Sequence, residues 1–184
     1  MGLFESEYKL QRRVAGYHDI RLDGLTDIVT RAPGKRVLDL GCNRGLVGFE
    51  LANNGATLVH GCDNWEPGIN VARELFIDLR NVESRFEVID LAKEIPFPDR
   101  HYDIVLMIAT YHKLKRVMQP AELTKLVQNL ASRTKWFVWR GPGDKPDEAA
   151  DEMKQLDKDL PMKRVHTSTL SKTLGLAAIW ERES

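Results

Sequence analysis

The chain has 184 residues, with 27 lysines and arginines against 27 aspartates and glutamates, and 42% of it is hydrophobic. That length suits one domain with a substantial core, and the charge balance excludes a broad pull toward nucleic acid or an anionic membrane surface. No apolar run approaches the roughly 20 residues of a membrane span, and the opening MGLFESEYKLQRR lacks the apolar core of a signal peptide.

Residues 3–31 carry a weak helical pattern, with Ile20, Leu25, Ile28 and Val29 on one face. KRVLDL (35–40) reads as a buried strand, and GLVGFELANNG as a helix closed by Asn54-Gly55. TLVHGCD (57–63) is a second strand. EPGINVARELFIDLRN then sets Ile69, Ala72, Leu75, Phe76 and Leu79 along one helical face, with Pro67 tolerated in the first turn. RFEVID (85–90) and YDIVLMIA (102–109) are the third and fourth strands. PAELTKLVQNLA is a helix with Leu123, Leu126, Val127 and Leu130 inward, and KWFVWR (135–140) a fifth strand. GPGDKPDEAADEMKQLDKD is a loop running into a charged helix, whose charges predict a solvated face. PMKRVHTST and GLAAIWERES predict two closing strands with a short connection, the last antiparallel to its neighbour.

Alternating strands and helices at this spacing imply βαβ units around a parallel sheet. Ligands of such sheets bind at the carboxyl ends of the strands, where the chain order reverses. The informative residues are therefore Asp39 to Gly45, Asp63, Asp90, and Ala109 to His112. Cys42 and Cys62 each end an apolar run and form no Cys-x-x-Cys pair. They read as small reduced hydrophobes, which argues against a disulfide or a metal site and predicts a cytoplasmic setting.

A dinucleotide fingerprint needs Gly-x-Gly-x-x-Gly, and from Gly41 this chain places Asn43 and Leu46 at the second and third glycine positions. It carries instead Asp39-x-Gly41-x-Asn43-x-Gly45. A carboxylate beside the turn disfavours a pyrophosphate and suits an ammonium group. Asp63 ends the second strand, where a carboxylate accepts from both hydroxyls of a ribose. Asp90 ends the third, placed to accept from the adenine amine, with the Leu91 N–H completing the readout of the base. Ribose, adenine and an amino-acid tail without phosphates describe S-adenosylmethionine.

On these residues the chain resembles the class I S-adenosylmethionine-dependent methyltransferases. VLDLGCNRG matches the glycine-rich first motif, VHGCDNWEPGINVAR the acidic second and FEVIDLAKEIPF the third. YDIVLMIATYHKL matches the segment after the fourth strand, so the likeness covers roughly residues 35–140. It implies a Rossmann-like three-layer α/β sandwich, with a seven-stranded, mostly parallel sheet whose last strand is antiparallel. One domain would span 1–184: an N-terminal helical segment (1–34), a cofactor-binding core (35–140), and a C-terminal helix and strand pair (141–184).

The resemblance also implies residue roles. Asp39 and the loop Gly41, Cys42, Asn43 and Gly45 would hold the methionine portion, Asp63 the ribose, and Asp90 with Leu91 the adenine. Asn64 and Trp65 would pack beside the base. Asn43 stands where the family usually has glycine; Asn is the residue most tolerant of positive φ after glycine.

Ala109, Tyr111 and His112 would border the transferring methyl group. There His112 is suited to remove a proton from the acceptor, and an aromatic-His pair equally suits packing of the loop. Lys113, Lys115 and Arg116 make that rim basic, to meet an acidic substrate or to be solvated. Tyr17 and His18 stand where a segment would fold over the cofactor or pack. Trp139 reads as core or acceptor wall, beside Arg140.

The chain lacks both the Asn/Asp-Pro-Pro-aromatic motif of amino methylation on DNA bases and a cysteine nucleophile in that region. A DNA acceptor is therefore not expected; a small molecule and RNA stay open. So do a homo-oligomer closing the site and a chain that binds the cofactor without transferring its methyl. No membrane partner and no metal are expected.

Overall fold

The computed structural model describes residues 24–169 and 176–183, so Tyr17, His18 and Ile20 lie outside the described residues. In chain order the elements are α1 (Thr26–Thr30), β1 (Arg36–Leu40), α2 (Leu46–Asn53), β2 (Leu58–Asp63), α3 (Glu66–Phe76), β3 (Glu83–Val88) and β4 (Tyr102–Ile108). They continue as α4 (Tyr111–Leu114), α5 (Pro120–Ser132), β5 (Thr134–Arg140), α6 (Pro146–Asp159), β6 (Lys163–Thr169) and β7 (Leu176–Glu181).

The seven strands form one sheet in the order β3-β2-β1-β4-β5-β7-β6. Pairings from β3 through β5 are parallel, and β7 runs antiparallel to both β5 and β6. The chain leaves β1 outward to β2 and β3, then returns to β4 on the other side of β1. The carboxyl ends of β1 and β4 therefore flank the reversal point where open α/β sheets bind ligands.

Side-chain alternation along β1 divides the core into two layers. Val37 packs with Leu25 and Ile28 beside α1, and with Leu51, Ile69 and Ala72 of α2 and α3. Leu38 and Leu40 pack instead with Leu126 and Leu130 of α5 and Ala149 and Leu156 of α6. Both faces of the central strands are thus covered by helices, which is why these strands read as continuous apolar runs. The edge strand β3 is exposed at Glu83, Ser84 and Arg85, charge and polarity that blunt an unpaired edge.

Local signals set the helix boundaries. Gly45 begins α2 at φ 72, a left-handed conformation favouring glycine. Glu122 turns back to the Gln119 N–H at 3.3 Å, closing the start of α5. Three boundaries differ from expectation. The third strand ends at Val88, two residues before Asp90, and α3 stops at Phe76. The chain also makes a helical turn, α4, through Tyr111–Leu114. Among the described residues no helix is long and apolar enough to cross a membrane, and no group of three His, Cys, Asp or Glu could hold a metal ion.

The charged helix α6 departs from a wholly solvated surface. Ala149, Glu152 and Leu156 are fully buried at one-turn spacing, so the apolar stripe of this helix contains a carboxyl group.

Candidate active site

The turn after β1 is set by three residues with positive φ: Gly41 at 68°, Asn43 at 53° and Gly45 at 72°. The Gly41 and Cys42 N–H groups both donate to the Cys62 carbonyl, at 2.8 and 3.0 Å, which ties the turn to the end of β2. A Cβ on Gly41 would lie 2.3 Å from Thr110 Oγ1, so only glycine lets the first turn and the β4 turn approach this closely. Thr110 is buried, and its hydroxyl lies 3.0 Å from the Leu40 carbonyl and 3.1 Å from that of Ile108. Ala109, before it, has φ 52 and donates its N–H to the Arg140 carbonyl at 2.9 Å. A non-glycine residue in this conformation stores strain, and such strain gathers at functional sites.

Asp63 ends β2 with its carboxylate clamped by backbone. Oδ2 accepts the Asn43 N–H and Oδ1 the Trp65 N–H, both at 2.9 Å. Each oxygen keeps a further lone pair for a ligand. The side chain of Trp65 is 42% exposed and packs on Gly68, where a Cβ would come within 2.5 Å of the ring; the Arg44 guanidinium lies 5.7 Å from its centroid. Asp90 turns back to the Ala92 N–H at 3.1 Å and meets Lys93 Nζ at 2.9 Å. The lysine and then the N–H hold its carboxyl below the usual range.

These parts line a shallow crevice of about 90 Å³ that opens to solvent between the ends of β1, β2 and β4. Its walls include Gly41, Asp63, Asn64, Asp90 and Leu91 of the predicted set, together with Ile89, Thr110, Lys113 and Leu114. A larger hollow, about 540 Å³, lies at the opposite end of the sheet beside Asn53, Gly55, Asp78 and Arg80. None of its lining residues has a buried side-chain polar atom lacking a partner, and it carries no convergent chemistry.

The other predicted residues surround the crevice without lining it. Asp39 is buried and faces α2, with Oδ2 3.5 Å from where Gly48 would carry a Cβ. Cys42 packs in the α1–α3 layer and Cys62 in the opposite one, so they sit on opposite faces of the sheet. Burial pushes both thiols well above the ordinary range. Trp139 is fully buried core and Arg140 is buried.

Tyr111 is buried under α6; burial raises its phenol most, and Asp159 and Glu152 add to that. His112 is buried with its Nδ1 lacking a hydrogen-bond partner among the described residues. Burial lowers its proton affinity, as do Lys113, Arg116 and Lys145, against a smaller opposing pull from Glu148.

Ile89 and Leu114 were not singled out from sequence; Thr110 entered only within the span Ala109 to His112, and Lys113 only as part of a basic rim. For the turn, helical periodicity was the available signal. In a turn starting at 110, positions 110, 113 and 114 share one face, while 111 and 112 point about 100° and 200° away.

The donor set selects among ligands. Two carboxylates suit hydroxyls and amines, whereas a pyrophosphate would face the negative charge of Asp63, whose hydrogen-bond partners are backbone N–H groups.

Comparison with known proteins agrees. Residues 37–135, more than half of the chain, match the family model described as "Methyltransferase domain". The chain is similar to the O-antigen chain terminator bifunctional methyltransferase/kinase WbdD of Escherichia coli, 31% identical over 124 residues, covering 64% of this chain and 17% of that protein. It is also similar to a ubiquinone biosynthesis O-methyltransferase of Neisseria meningitidis, 33% identical over 123 residues, covering 61% of this chain and 47% of that one. The chain thus spans between a sixth and about half of the length of these curated relatives. Among solved structures, the magnesium protoporphyrin IX methyltransferase ChlM from Synechocystis, with bound SAM, shares the fold. Its TM-score is 0.63 and its identity 20%, covering 100% of this chain and 85% of that one.

Proposed function

The chain belongs to the class I S-adenosylmethionine-dependent methyltransferases, and on that premise we propose that it moves a methyl group to a hydroxyl or amine on a small molecule or RNA. The observation that carries the reading is the crevice at the reversal point of the sheet, lined by Asp63, clamped by two backbone N–H groups, and by Asp90. In this reading Asp63 accepts from the ribose hydroxyls, and Asp90 with the Leu91 backbone reads the adenine. The Gly41–Gly45 turn and Asp39 hold the amino-acid end, and Asn64 and Trp65 flank the base. The bound donor supplies an electrophilic methyl on a sulfonium, so what the protein must add is alignment and, for a protonated acceptor, a base.

We assign the base to His112, which turns from the donor crevice toward Glu148 and Lys145 at the start of α6, so that the acceptor approaches from that side. Burial and three nearby cations keep its imidazole neutral at physiological pH, the form able to accept a proton. Tyr111, buried beneath α6, holds the turn that carries His112, and Ala109 bends the chain into that turn. The relatives named as O-methyltransferases favour oxygen as the receiving atom, which is consistent with a base beside the acceptor. Methyl-labelled S-adenosylmethionine incubated with a small-molecule extract and, separately, with total RNA tests the proposal. A labelled product that disappears in His112→Gln, with donor binding retained, supports it. Tight donor binding without any labelled product in either pool would favour a cofactor-binding protein that transfers nothing.

A further inference from the structure

Glu152 stands at the middle of the seam between α6 and the sheet. It is fully buried, between Ala149 one turn before and Leu156 one turn after, in a core with Tyr111 and Trp139. Neither carboxyl oxygen completes a hydrogen bond among the described residues, although the Trp139 indole lies close enough to lower its proton affinity. The indole Nε1 is itself buried without a completed bond. A leucine here would continue the apolar stripe, so the carboxyl group sits where only its neutral form matches the surroundings.

Charged and titratable groups reach it from every element packed around it. From α4 and the residues after it come Tyr111, Lys115 and Arg116, and from α6 itself Glu148. Glu148 is 4.0 Å from Arg116 and 3.2 Å from Lys145. From β5 comes the Trp139 indole. On the far side, Asp157 holds Arg164 of β6 at 3.0 Å and the Trp180 indole of β7 at 2.9 Å. Thr124 and Gln128 of α5 bond Asp159. Glu148, Asp157 and Asp159 each have an ion pair or hydrogen bond; among the described residues Glu152 completes neither and has only the Trp139 indole nearby. Burial raises its carboxyl to about 7, with the nearby cations opposing only in part.

We propose that Glu152 is a pH-sensitive latch: its neutral carboxyl lets α6 seat on α4 and the end of β5, and its ionisation releases that seat. Release frees the segment from Gly141 to Lys145 and the turn bearing His112 together. Gly141 abuts both Trp139 and Ala149, each 2.7 Å from where a Cβ would stand, so α6 cannot shift without this segment following. Under the methyltransferase reading, the latch governs the acceptor side of the crevice. The latch itself is independent of that reading.

Hydrogen–deuterium exchange of the α6 amides, corrected for intrinsic base catalysis, tests it without donor or acceptor. In an opened seam the carboxyl returns to its ordinary value near 4.5. The opening equilibrium should then rise about tenfold between pH 6 and pH 8, while α5 amides stay level. In Glu152→Gln the rise should vanish, leaving less than about a twofold change. Glu152→Met, which fills the site without any titrating group, should be equally flat and serves if the amide variant does not fold. A wild-type seam with no pH-dependent opening, or a rise that survives either variant, overturns the latch.

Discussion

Substituting Gly41 by alanine tests whether the contact between the first turn and the β4 turn organises the site. At φ 68 an alanine pays the left-handed cost of about 1–2 kcal/mol. Its Cβ would also stand 2.3 Å from Thr110 Oγ1, a hydroxyl fixed against the Leu40 and Ile108 carbonyls. Displacing that hydroxyl forfeits a hydrogen bond worth about 1 kcal/mol net and leaves a buried carbonyl short of a donor, roughly 1–3 kcal/mol in all. Gly41→Ala should therefore lower stability by about 2–5 kcal/mol.

In a Thr110→Ala background the nearest obstacle is the Thr110 Cβ position, at 3.2 Å, and only the backbone cost remains. Urea denaturation of the four proteins, followed by circular dichroism, should give a coupling of about 1–2 kcal/mol, the double variant being less destabilised than the sum. Additivity within roughly 0.5 kcal/mol would refute the contact as the reason for glycine here.

Asp63→Ala should weaken S-adenosylmethionine binding at least about tenfold in titration calorimetry, since each charge-assisted hydrogen bond lost is worth roughly 1.5–3 kcal/mol; unchanged affinity would place the ribose elsewhere. Burial lowers the proton affinity of His60, whose Nδ1 lies 2.8 Å from the Tyr102 hydroxyl. The unfolded chain therefore takes up a proton first, and stability should fall as pH drops below about 6.5, less steeply in His60→Phe; equal urea midpoints at pH 7.5 and 5.5 would contradict this. Arg133 is buried and donates to the carbonyls of Pro96, Phe97 and Arg100. Arg133→Met should destabilise the fold by about 2–4 kcal/mol in urea, three carbonyls losing their donor, and a change under about 0.5 kcal/mol would sink that view.

The parallel core and the antiparallel last strand were legible because buried strands and one-sided helices leave different periodicities in sequence. The glycine-rich turn was legible because backbone geometry restricts residue type there: Asn43, expected to tolerate positive φ, has φ 53. That Asp63 lines the crevice was legible because a strand end fixes where its carboxylate goes. Asp90 ends no strand; the chain leaves β3 two residues earlier, and the side chain is set by its own turn through Ala92. Tyr111 and His112 looked like one pair in a linear reading, but α4 winds them away from the face that Thr110, Lys113 and Leu114 present to the crevice. Glu152 was hidden among the charges of α6, because a run of Asp, Glu and Lys conceals which turn faces inward until Ala149 and Leu156 are seen buried beside it.

Titration of the protein with S-adenosylmethionine and, in parallel, with NADH bears most directly on the crevice built from Gly41, Asp63 and Asp90. Saturable binding of S-adenosylmethionine at one site per chain, with no binding of NADH at the same concentrations, is the predicted result. Preference for NADH, or no heat with S-adenosylmethionine, would contradict it.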